Sequence, residues 1–222
     1  MAGCRPYKHG EIEAMMREID RGDWGKRDLC LYLFGLGTGY RVSEICSLTR
    51  GDVTNPDGTV AESVTVWRRN MKGKRISRTV VLSDELRKTL GGYLRWLAGR
   101  GYARPTHPLW PGRPGRAISR YTVYAVQKRA ARRLGLPGRV ATHSMRKTYG
   151  VHAHDFFMRQ AARGVPVDPL LYTAKAMGHV KVDSTQSYLQ ADMVQIEAAV
   201  RDVSRRIIPR VPRFGGTENH AQ

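Results

Sequence analysis

Gly37-Thr-Gly-Tyr-Arg41-Val-Ser-Glu44 closes a strongly apolar run over residues 26–37, in which Leu29, Cys30, Leu31, Tyr32, Leu33, Phe34 and Leu36 crowd together. The run is too long for an ordinary strand, so it reads as a buried helix that stops between Gly35 and Gly39. Val42, Ile45 and Leu48 then recur at helical spacing, which predicts a short second helix with that face on the core. Arg41 therefore stands at a glycine-punctuated helix junction. Such a junction lets backbone approach a ligand closely and brings helix N-terminal amides near it.

Working outward, Ile12, Met15, Met16 and Ile19 predict a helix over 9–20, broken by Gly22 and Gly25. After the junction the period changes. The turn 55–58, the valines Val60, Val64 and Val66 and the run 76–82 predict a small antiparallel sheet. Its basic tip, 67–75, carries Arg68, Arg69, Lys72, Lys74 and Arg75. Ser83 caps a helix bearing Leu86, Leu90, Tyr93, Leu94 and Leu97. Residues 99–118 form a Gly/Pro/Arg-rich loop pinned by Trp110. Ser119 opens a helix to Leu134 with a basic outer face, Lys128, Arg129, Arg132 and Arg133. A loop leads to Thr142-His143, and a long helix runs from about Ser144 to Arg163. Asp168-Pro169 has the pattern of N-cap and first helical residue, opening a helix to Met177. Asp183 or Ser184 would cap the segment bearing Tyr188, and residues 192–208 form a last helix before a polar tail, 209–222. The expected organisation is one mainly helical domain with a small antiparallel sheet over 1–208, followed by a flexible tail.

With 222 residues, 41% of them hydrophobic and 26% charged, the chain can bury a substantial core. No run reaches the length of a membrane span and no secretory signal opens the chain, so cytoplasmic residence is the default. The three cysteines form no CxxC pair, and Cys30 and Cys46 read as buried free thiols. The net charge of +19 is the dominant global signal, and it is unevenly placed. Between Leu86 and His154 there is no Asp or Glu but fifteen Lys and Arg. So much positive charge in one folded region calls for a polyanion, and nucleic acid fits better than a membrane surface.

Four kinds of side chain complete the picture. Arg41, Lys72, His143 and Arg146 precede Met177-Gly-His179, and Tyr188 follows nine positions after His179. Cleaving a phosphodiester loads charge onto the non-bridging oxygens, which a metal or guanidinium groups must offset. The only candidate metal cluster, His152-Ala-His154-Asp155, fails because residues two apart on a helix point away from each other. Arginines are abundant and suited to bidentate phosphate contact. A phenol, two arginines, a lysine and two histidines form a coherent set for metal-free attack on a phosphodiester.

The motifs Thr38-Gly-Tyr-Arg41-Val-Ser-Glu44, Lys72 before Arg78-Thr-Val-Val-Leu82, His143-Ser-Met-Arg146, Gly178-His179 and Thr185-Gln-Ser-Tyr188 resemble, in order, those of the tyrosine recombinase family, the phage-integrase-like enzymes that break and rejoin DNA. The resemblance implies that family's catalytic-domain fold. It implies Tyr188 as nucleophile, forming a 3′-phosphotyrosyl link without ATP or any other cofactor. It implies His143 as acid/base partner, Arg41 and Arg146 as clamps on the phosphate, Lys72 as proton donor to the leaving 5′-oxygen, and His179 as a hydrogen-bond donor. Lys74 remains an alternative to Lys72, since the spacing to Arg78 is one longer than the common pattern. Glu44, one turn after Arg41, would hold the site in shape. The partner would be double-stranded DNA, engaged by Arg68, Arg69, Lys74, Arg75, Arg120, Lys128, Arg129, Arg132, Arg133 and Lys147. The working form would be a homo-oligomer, a tetramer on two sites, in the cytoplasm with the nucleoid. The alternatives are a type IB topoisomerase-like enzyme and a catalytically idle DNA-binding regulator.

The chain departs from the pattern in two ways. Arg146 and His179 lie 33 positions apart, which predicts a longer helix or an inserted turn within 153–170. The N-terminal DNA-clamping domain of most relatives is expected to be absent, as in a minimal recombinase or a piece of a longer one.

Overall fold

The computed structural model describes residues 3–67 and 77–178, which belong to one compact unit spanning Met1–Tyr188. The helices are α1 (Glu11–Ile19), α2 (Gly25–Thr38), α3 (Val42–Cys46), α4 (Asp84–Ala98), α5 (Arg120–Arg133), α6 (Thr142–Ala162) and α7 (Pro169–Ala176). Strands β1 (Ser63–Val66) and β2 (Arg78–Val81) form an antiparallel pair. The fold is mainly helical with a two-stranded antiparallel sheet, as expected.

Helix α2 is central because it is apolar nearly all round. One face, Leu31 and Phe34, packs with Ile45, Val64, Leu90 and Trp110 in the larger core. The other side, Tyr32, joins Met15, Ile19, Ala130 and Met145 in a second core beneath α1, α5 and α6. Trp110 pins the long loop as predicted: it is fully buried, stacked on Tyr93 at 5.2 Å and edge-on to Phe34 at 5.8 Å. All five predicted apolar residues of α4 are buried.

The sequence expectations need three adjustments. The sheet is smaller than predicted, since Val60 only makes an isolated bridge to Thr54 across the turn. Helix α6 begins at Thr142, because the Ser144 hydroxyl accepts from the Ala141 amide and brings His143 into the first helical turn. Helix α6 is 21 residues long, and this length, with the loop before α7, accounts for the wide spacing after Arg146. Cys46 is half-buried where a buried thiol was predicted; Cys30 is buried and both are free. Asp168 caps α7 as predicted, accepting from the Leu171 amide at 2.8 Å. The basic tip, the Tyr188 segment, the helix expected over 192–208 and the tail lie outside the described residues.

Candidate active site

The site forms where the C-termini of α2 and α7 meet the N-termini of α3 and α6. Gly39 ends α2 in the left-handed conformation, with φ at 59°. A Cβ there would also lie 2.7 Å from Cγ of Tyr149 and closer still to Cδ1, so both backbone and packing require glycine. This reversal places Arg41 as the extended N-cap of α3. Glu44, 3% exposed, holds Arg41 at two points. Its Oε2 accepts from the Arg41 amide at 2.8 Å, and its Oε1 from Arg41 Nη1 at 3.1 Å. The carboxylate thus fixes backbone and guanidinium together.

Arg146 is 1% exposed. Its Nη1 donates to the Gly39 carbonyl and its Nη2 to the Met177 carbonyl at 2.7 Å. These are last-turn carbonyls of α2 and α7, which otherwise lack intrahelical partners and carry the negative end of each helix dipole. His143, three residues before Arg146 on α6, is partly exposed and partly covered by the protein around it. Its pKa is lowered from the usual imidazole value, first by the water that the surrounding protein displaces and then by the charges of Arg146, Arg41 and Lys147. A cavity of about 170 Å³ lies between Tyr40, Arg41, Arg120, Thr142, His143 and Arg146. Three guanidiniums and an imidazole around one small hollow offer the positive charge and the hydrogen-bond donors that suit an oxyanion.

Of the predicted catalytic residues, the structure brings together Arg41, His143 and Arg146. Lys72, His179 and Tyr188 lie outside the described residues, as do Arg68, Arg69, Lys74 and Arg75. Arg120 lines the cavity itself. The basic face of α5 divides in two. Lys128 and Arg132 line a separate hollow with Leu136 and Val140, whereas Arg133 pairs with Glu18 of α1 at 3.7 Å and Arg129 is close enough to Asp28 to favour its charge. Lys147 is half-buried, with Nζ 3.6 Å from where a Cβ on Gly3 would lie. The N-terminal segment therefore overlaps the predicted DNA-facing lysine.

Sequence reading assigns no role to Tyr40 or Arg78, yet both support the junction. The Tyr40 hydroxyl shares its one proton between the carbonyls of Val64 at 2.8 Å and Arg78 at 2.7 Å, tying the sheet to the residue before Arg41. The available signal was an arginine at the start of a β-branched strand, Arg78-Thr-Val-Val. Among the described residues no group of three His, Cys, Asp or Glu could hold a metal. His154 lies beside the Thr173 hydroxyl at 3.4 Å, and no described helix is long and apolar enough to cross a membrane.

Comparison with known proteins accords with this geometry. The Phage integrase family matches residues 7–195. "Probable integrase/recombinase YoeC" of Bacillus subtilis is 29% identical over 127 residues, covering 57% of this chain and 62% of that protein. The tyrosine recombinase XerC of Xylella fastidiosa is 28% identical over 168 residues, covering 76% of this chain and 50% of that protein. The chain thus spans between half and two thirds of the length of these relatives. In three dimensions it is similar to XerA recombinase, with a TM-score of 0.62 at 19% identity over 95% of this chain and 68% of that one. It is also similar to XerH site-specific recombinase bound to its difH substrate, with a TM-score of 0.62 at 19% identity over 88% and 53% of the two chains. The catalytic domain of bacteriophage HP1 integrase is matched over its full length and 99% of this chain, with a TM-score of 0.52 at 20% identity. At such identities the likeness is one of fold, and the fold is that of tyrosine recombinase catalytic domains. With the family pattern running from residue 7 to 195 over that fold, the chain belongs to the phage integrase family of tyrosine recombinases.

Proposed function

We propose that this chain is the DNA-cleaving and rejoining domain of a site-specific recombinase that works through a 3′-phosphotyrosyl intermediate. One observation carries the reading: Arg41, Arg120, His143 and Arg146 converge on a single phosphate-sized cavity, with Arg146 buried at its floor. Tyr188 Oη attacks the scissile phosphorus. A free tyrosine titrates near 10, so it needs a base, and His143, whose charged form is disfavoured by partial desolvation and by neighbouring cations, would accept the proton. Arg41 and Arg146 offset the charge that grows on the non-bridging oxygens, and His179 donates a further hydrogen bond. The P–O5′ bond breaks and Lys72, or Lys74, supplies the proton to the departing oxygen. The bond energy is kept in the phosphotyrosine, so the reverse attack by a 5′-hydroxyl rejoins strands without ATP.

Duplex DNA would lie across the cavity mouth. Arg120, Lys128 and Arg132 would meet its backbone, together with the tip residues Arg68, Arg69, Lys74 and Arg75, in a multimer that joins two sites. The decisive experiment incubates the purified chain with a library of nicked duplexes and resolves covalent protein–DNA adducts on denaturing gels. Wild type is expected to trap a 3′-linked adduct on selected sequences, and Tyr188→Phe none. An adduct that persists in Tyr188→Phe, or no adduct on duplexes the wild type binds, refutes the proposal. Site-independent relaxation of supercoiled plasmid would reassign the chemistry to a topoisomerase.

A further inference from the structure

Arg78 is the second arginine buried at the junction. The register pairs Val66 with Arg78 and Thr65 with Thr79. Alternation therefore sends Thr79 and Val81 outward and turns Arg78 toward the core side with Val64 and Val66. The guanidinium stacks over the Tyr40 ring, 4.6 Å from its centroid. From there Nη2 donates to the Thr38 carbonyl at 2.9 Å and to the Ala176 carbonyl at 2.6 Å, and Nη1 reaches the Gly39 carbonyl at 3.4 Å. These acceptors lie 40 and 98 positions away along the chain. They are the last-turn carbonyls of α2 and α7, the same two helix ends that Arg146 bridges one carbonyl further on. Gly178 closes the packing: a Cβ there would come 2.6 Å from Arg78 Cδ.

Only a planar fork with several donors can serve three carbonyls on two helices while stacking on a ring; an ammonium lacks both the span and the plane. We propose that Arg78 is a positioning residue for strand cleavage, holding the Thr38–Gly39 reversal that aims Arg41 and the α7 end that leads to His179 in one register with the strand that follows the catalytic lysine. This inference rests on the recombinase reading. Arg78 touches no phosphate; it acts through the backbone that presents the residues that do.

The test measures single-turnover cleavage at saturating concentration of a duplex selected from the nicked library, in wild type, Tyr188→Phe, Arg78→Lys and Gly178→Ala. Gly178→Ala keeps the arginine and its charge but dislodges it, and it also strains the backbone at a φ of 62°, so Arg78→Lys is the variant that assigns the effect to the guanidinium. Both variants are expected to lower the cleavage rate constant about 10- to 100-fold, the scale of an ångström-level misalignment of reacting groups, with duplex affinity within about twofold of wild type. The rate constant is read on the folded fraction, so partial unfolding would lower the adduct endpoint but leave the rate constant untouched. An unchanged rate constant with a lower endpoint overturns the proposal, as does a loss of duplex affinity equal to the loss of rate. If neither variant yields folded, DNA-binding protein, Arg78 is a folding residue and the proposal falls. Wild type and Tyr188→Phe decide the recombinase reading separately: if wild type forms no adduct, that reading fails and takes this inference with it.

Discussion

Replacing Gly39 by alanine tests the architecture of the junction without assuming any chemistry. Two costs arise. A non-glycine residue at a φ of 59° costs about 1–2 kcal/mol. The new Cβ would lie 2.7 Å from Tyr149 Cγ and 3.0 Å from Cε1, so the ring or α6 must shift, which for an overpacked site costs about 1–3 kcal/mol. The sum is about 2–5 kcal/mol, or about 4–20 °C in Tm for a chain of this size. Urea unfolding followed by circular dichroism measures it, and a double-mutant cycle separates the two costs. In a Tyr149→Ala background the steric part vanishes and Gly39→Ala should cost only about 1–2 kcal/mol, giving a coupling of about 1–3 kcal/mol. A coupling below about 0.5 kcal/mol would mean that Tyr149 does not enforce the glycine. Something other than the Tyr149 ring would then fix the carbonyl shared by Arg146 and Arg78.

Glu44→Gln keeps the shape and an acceptor for the Arg41 amide but removes the carboxylate charge; urea unfolding should report a loss of about 0.5–2 kcal/mol, and no loss would mean that Glu44 is a bystander. His143 should titrate below 6.5 when followed by NMR in the free chain, because burial and three neighbouring cations disfavour its charged form. The folded value is depressed, so the folded state binds the proton less readily than the unfolded one. The stability due to this residue is therefore complete above 6.5 and declines as pH falls through the folded value. Arg41→Gln should raise the His143 value without taking it past 6.5, since burial is the first cause; a wild-type value at or above 6.5 contradicts the geometry.

Much of the fold was legible because its signals are local. The apolar run of α2, the caps Ser83, Ser119 and Asp168, and the spacing of Leu86, Leu90, Tyr93, Leu94 and Leu97 each follow from periodicity or capping chemistry within one turn or two. The sheet was overestimated because valines at Val60, Val64 and Val66 continue the alternation through a turn that the backbone closes separately, with the Asn55 amide donating to the Thr59 carbonyl. The start of α6 was placed two residues late because Ala141 is a poor cap by type, and the capping group is the Ser144 hydroxyl reaching back. Side-chain identity at the cap position says little when the hydrogen bond comes from inside the helix.

The site divides along the same line. Arg41, His143 and Arg146 were found as residue types in order, because their chemistry is carried by the side chain. What holds them was hidden, because it is main chain. Arg146 and Arg78 are gripped by carbonyls of Thr38, Gly39, Ala176 and Met177, and carbonyls leave no trace in a sequence. The physical consequence matters for function. A carboxylate partner fixes a guanidinium but cancels its charge, as Glu44 partly does for Arg41. Helix-end carbonyls fix it and stabilise it through the dipole, typically by about 0.3–1 kcal/mol at each end, while leaving it a full cation. A cavity meant to receive a phosphoryl group gains from the second arrangement, since the positive charge is preorganised and the incoming anion displaces no carboxylate. In a chain of net charge +19, Arg146 is thus tied to the carbonyls that end α2 and α7, while the buried Glu44 orients Arg41.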